Sequence, residues 1–173
     1  MNIDFEIFLV PSINDQGMKM FPKTLQNGRI WELVENIDNV FLIDNPSSFS
    51  ILGKTFSIIK GEFSVHMTRK VIIPFNRDFE PETHMLRTVI SQRDFGCFEI
   101  KEFPISKKYR EDFLFYDTPN YFIIADNNLK SIFETFESEH NPPLFGITIS
   151  SFPKTRQFVE VSLPSGLINI KSY

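Results

Sequence analysis

Twenty of the 173 residues are phenylalanine, and their spacing limits the folds open to the chain. In several segments a ring alternates with a short polar or charged side chain, as in Asp4-Phe5-Glu6, Ser48-Phe49-Ser50 and Thr55-Phe56-Ser57. A period of two belongs to a strand with one packed face and one wet face. Burying one Phe stabilises a fold by about 1.5–3 kcal/mol relative to leaving it exposed, so half of these rings make a substantial core. Phe and Ile both have AT-rich codons, so part of the bias reflects nucleotide composition.

The pattern predicts a first strand over residues 3–10, stopped by Pro11, and then a loop rich in Pro, Gly and Asn over 11–28. Ile30, Leu33, Val34 and Ile37 fall at i, i+3, i+4 and i+7, which predicts a short helix with those four residues on its buried face. Residues 40–43 read as a buried strand, and 48–75 as a meander of antiparallel strands that includes EFSVHMT. Pro81 opens a helix that presents Met85, Leu86, Val89 and Ile90, and residues 97–103 alternate as a strand.

Strand 121–125 is followed by Asp126 as an N-cap candidate. The helix expected after it buries Leu129, Ile132, Phe133 and Phe136 and turns Glu134, Glu137 and Glu139 outward. Such a crossover allows 121–125 and 144–149 to be parallel. Residues 156–163 and 167–170 close the chain as two strands around Pro164-Ser165-Gly166. The expected architecture is α+β: a single domain over 1–173, with a mostly antiparallel twisted sheet and two or three short amphipathic helices packed on it.

Reactive side chains are scarce. Cys97 is the only cysteine, so it has no internal disulfide partner, and a reducing compartment fits best. The acidic start Met1-Asn2-Ile3-Asp4-Phe5-Glu6 is unlike a secretion signal, and no apolar run approaches the roughly 18 residues of a membrane span. A soluble, cytoplasmic protein is expected. No HExxH, GxSxG, Walker or GxGxxG pattern occurs.

Asp78, Glu80, Glu82 and His84 would share a face in an extended chain, but Pro81 and the helix start break that geometry, so neither metal nor cofactor is expected. His66 and His140 have structural explanations. A small enzyme with a site assembled from His84, Arg93, Asp94 and Cys97 is the competing reading.

Charge is unevenly placed. Residues 1–50 carry 3 basic and 7 acidic side chains, 51–110 carry 11 and 7, and 111–173 carry 4 and 8. Because the basic residues interleave with acidic ones, direct nucleic-acid binding is not expected. The acidic flanks instead favour a basic partner. In size, charge and composition the chain is similar to bacterial immunity proteins, which implies a stoichiometric inhibitor that occludes the basic active site of a partner toxin such as a nuclease. The residues expected at that contact are Glu111, Asp112, Tyr116, Asp117 and Tyr121, with Glu134 and Glu137 as a second set, around Phe113, Phe115 and Phe122.

Overall fold

The structure, a computed structural model, describes residues 5–12, 14–15, 20–24, 29–70, 78–94, 104–114, 116–137 and 142–173. Along the chain run β1 (Ile7–Leu9), α1 (Arg29–Val34), β2 (Val40–Leu42), β3 (Ser47–Ile51), β4 (Lys54–Lys60), α2 (Phe63–Lys70) and α3 (Pro81–Gln92). A 3-10 helix spans Lys107–Phe113. There follow β5 (Tyr121–Ala125), β6 (Ile132–Phe136), β7 (Leu144–Ile149), α4 (Phe152–Thr155), β8 (Gln157–Ser162) and β9 (Leu167–Ser172). Among the described residues no helix is long and apolar enough to cross a membrane.

The expected α+β class is the one found. A five-stranded sheet in the order β3-β4-β5-β7-β6 forms the middle layer. Its outer pairs β3-β4 and β6-β7 are antiparallel, and its inner pairs β4-β5 and β5-β7 are parallel. The β3-β4 hairpin closes through Leu52 and Gly53, both at positive φ (49° and 73°), as a two-residue turn matched to strand twist requires. Glycine carries that conformation without strain, whereas Leu52 adopts it at a steric cost.

Strand alternation then assigns each side chain to a layer. On one face Ile59, Phe122, Ile124 and Leu144 pack under α2 and α3 with Phe21, Ile105 and Phe113. On the other face Phe56, Tyr121 and Ile147 pack with Ile168, Val159 and Val161 of the β8-β9 hairpin. Outward on that hairpin, Lys171 bonds Glu160 at 2.7 Å and holds its carboxyl below the usual carboxylate range.

At Gly146 of β7 the side chains of α3 pack directly over the strand backbone. A Cβ there would lie 2.7 Å from the Phe136 ring and 3.3 Å from both Leu86 and Ile90. Gly146→Ala is expected to cost about 1–3 kcal/mol through overpacking. A thermal melt checks this, and adding Phe136→Leu should recover part of the loss.

Two segments differ from the expected elements. Residues 62–68, read as a strand, lie almost wholly in α2 (Phe63–Lys70), where the Asp126 carboxylate accepts a hydrogen bond from the Ser64 backbone N–H at 2.9 Å and caps the helix from a distant strand end. The Asp126 side chain also receives the Asn128 N–H at 2.8 Å, so it closes a turn instead of starting a helix. Residues 132–136 accordingly form β6, with Ile132 and Phe136 packed inward and Phe133 outward. The spacing of these apolar residues suits either period, and the open edge of β7 decided for the strand. The parallel relation of 121–125 to 144–149 is present, with a strand as the crossing element. The strands expected at 70–75 and 97–103 fall largely or wholly outside the described residues.

Candidate partner interface

β1 and β2 pair in parallel, with α1 on the connection between them. The pair is fastened to the central sheet in two ways. The first is Asn45, fully buried just after β2, whose side-chain amide acts as an extra peptide group. Its Oδ1 accepts the Lys60 N–H at 3.0 Å, and its Nδ2 donates to the carbonyls of Lys60 at 2.7 Å and Pro11 at 2.8 Å. The Asn45 backbone meanwhile exchanges two hydrogen bonds with Lys23. One side chain thus joins the ends of β1 and β4 to the segment after β2.

The second is a row of aromatic rings. Phe41, Phe8, Phe49, Phe56, Tyr121 and Phe145 stack in succession, with centroids 4.7–5.5 Å apart. They come from β2, β1, β3, β4, β5 and β7 in turn, so the row crosses from the small sheet into the large one. Offset stacking at such separations adds about 0.5–1.5 kcal/mol per pair beyond area burial. The row begins at half-exposed Phe41 and is buried by Phe56 and Tyr121.

The surface so positioned is unusually apolar. From Trp31 to Ile43 no side chain is buried, although the segment holds most of a helix and all of a strand. Leu33 is 69% exposed, Ile37 45%, Phe41 41% and Trp31 38%. Phe5 and Ile7 of the neighbouring strand are also exposed. The side chains interspersed with these are acidic: Glu32, Glu35, Asp38 and Asp44 are all exposed. The helix expected to bury Leu33, Val34 and Ile37 ends at Val34, and of these three residues Val34 is half-buried while Leu33 and Ile37 are exposed. Trp31, off that expected face, was the sequence signal for a larger apolar surface.

The residues expected to form the contact differ in exposure. Tyr121 is corrected most clearly: it is 2% exposed, because its strand lies in the middle of the sheet and its ring stacks between Phe56 and Phe145. Phe113 and Phe122 are likewise fully buried, and Phe115 lies outside the described residues. Glu134 is held by Arg87 of α3, whose Nε donates to Oε1 at 2.9 Å, so it is an internal ion pair on the sheet edge. Glu111, Tyr116, Asp117 and Glu137 are exposed, and Asp112 lies in the same 3-10 helix as Glu111.

His84 sits in α3, Arg93 caps its C-terminus and Asp94 follows, while Cys97 and His140 lie outside the described residues. Glu82 is buried, and its Oε1 accepts the Lys130 N–H at 2.9 Å, while Glu80 pairs with the Lys130 side chain. Among the described residues no group of three or more His, Cys, Asp or Glu is placed to hold a metal.

Among the described residues, the exposed apolar side chains of α1 and β2 offer contact area for another molecule. The B-subunit family of DNA polymerases alpha and epsilon matches residues 4–133, most of the chain, and the protein belongs to that family. No individually curated protein matches the sequence. The family is one of non-catalytic accessory subunits, in keeping with the expectation that the chain is not an enzyme.

The family match overturns the reading as a bacterial immunity protein with a basic toxin as its partner, which rested on size, charge and composition alone. Such bulk properties describe solubility and encounter, and many unrelated functions share them. The expectation against direct nucleic-acid binding also has no support in a family of DNA polymerase subunits.

Proposed function

We propose that this chain is a non-catalytic accessory subunit that binds the catalytic subunit of a DNA polymerase. The observation that carries the reading is the family match over residues 4–133, which takes in β1, α1, β2, the Asn45 junction and the sheet through β5. A multi-stranded sheet joined to a segment with exposed apolar side chains is suited to holding another protein in a fixed orientation.

Co-expression of the full chain with the catalytic subunit encoded by the same genome tests it. The two are expected to co-elute in size-exclusion chromatography as a stoichiometric complex, and this chain alone to incorporate no nucleotide. Separate elution at micromolar concentration, with the catalytic subunit active, would overturn the reading.

A further inference from the structure

We infer that the exposed surface of α1 and β2 is the docking site for an apolar segment flanked by Lys or Arg, carried by the catalytic subunit; this rests on the accessory-subunit reading above. The first ground is the exposure itself. A helix of six residues is too short to persist by propensity alone and depends on packing. Here α1 and β2 are formed while Trp31, Leu33, Ile37 and Phe41 remain in solvent. Four large apolar side chains exposed within one short stretch of chain, from Trp31 to Phe41, are more than the single exposed ones ordinary on a monomer.

The second ground is charge. Between Trp31 and Asp44 there are four acidic residues and no basic one. Exposed apolar side chains interspersed with acidic ones favour a partner that carries apolar anchors and basic residues, and disfavour an acidic one. Trp31 and Phe41 are the rings best suited to anchor the contact, since aromatic residues are enriched at interface hot spots. Phe41 is also the end of the aromatic row, so a partner ring stacked on it would continue a row already ordered by Phe8 and Phe49. Ordering before binding lowers the entropic cost of association.

The test measures association of the full chain with the cognate catalytic subunit by surface-based kinetics at several salt concentrations. Wild type is compared with Leu33→Asp, with a Glu32→Lys/Glu35→Lys/Asp38→Lys variant, and with Leu167→Asp on the β8-β9 hairpin as a control. Circular dichroism and melting confirm that each is folded. Leu33→Asp is expected to weaken binding about tenfold or more. The charge-reversed variant should associate more slowly and lose most of its salt dependence. Leu167→Asp should bind as wild type, and hydrogen exchange should show residues 31–43 protected in the complex.

Wild-type affinity in both site variants, with no protection of 31–43, would overturn the docking site while leaving the accessory-subunit reading in place. Failure of the wild-type chain to bind the catalytic subunit at all would overturn both. A dimer of this chain dissociated by Leu33→Asp would assign the surface to self-association and overturn the proposal.

Discussion

Asn45→Ala is expected to destabilise the protein by about 3–5 kcal/mol, the loss of three hydrogen bonds made by a buried side chain together with the cost of leaving their partners unsatisfied. The Pro11 and Lys60 carbonyls and the Lys60 N–H all meet the Asn45 amide at 2.7–3.0 Å, and the residue is fully buried, so water does not replace the lost groups without opening the structure. For a chain of this length each kcal/mol moves the melting point by roughly 2–4 °C, giving a fall of about 10 °C. Chemical denaturation should show a lower midpoint at unchanged slope.

Asn45→Asp is the sharper variant. It preserves size and one acceptor, but it places a carboxylate against two carbonyl oxygens. Burial and those carbonyls disfavour the charged form, so the introduced group's folded pKa is raised above its unfolded value. The variant's stability should therefore improve as pH falls towards the acid range, opposite to the acid destabilisation ordinary for carboxylates. A change below about 1 kcal/mol in Asn45→Ala would show that the junction does not hold the two sheets together.

Tyr121→Ala is the second large effect, at about 3–5 kcal/mol. It removes the most buried ring of the row, stacked 4.7 Å from Phe56 and 5.3 Å from Phe145, and leaves a cavity between the central strands and the β8-β9 hairpin. Close-packed strands do not collapse into that space without breaking their ladder hydrogen bonds. Tyr121→Phe keeps the ring and is expected to cost less than about 1.5 kcal/mol, as volume-conserving changes do. Comparing the two by denaturation separates ring from hydroxyl. Near-UV circular dichroism should change strongly in the alanine variant alone, and equal losses in both variants would contradict the stacking account.

Much of the local structure was legible because neighbouring residues decide it. Pro81 opens α3 and the apolar set Met85, Leu86 and Val89 faces the core, as its spacing predicts. The turn at Gly53 and the alternation on either side define the β3-β4 hairpin, and Pro164-Ser165-Gly166 lies between the strands of the β8-β9 hairpin. In each case the signal and the structure lie within one segment.

Where expectation and structure part, the deciding partner is distant in sequence. Residues 63–70 are helical with the help of a cap from Asp126, and residues 132–136 are a strand beside β7. The family was not legible for a related reason: its match extends over residues 4–133, whereas composition and short motifs report averages or single points.

The sequence by itself determined the α+β class, the segments that form α3 and the two hairpins, and the absence of the short catalytic motifs sought in it. Tertiary structure alone decided that Tyr121 is inside, that Leu33 is outside, that Glu134 is engaged by Arg87, and that six rings on six strands form one row. The physical reason is that periodicity reports which side chains share a face of an element, while burial depends on whether another element covers that face. In α1 that cover is partial: Val34 is half-buried, while Trp31 and Leu33 are exposed.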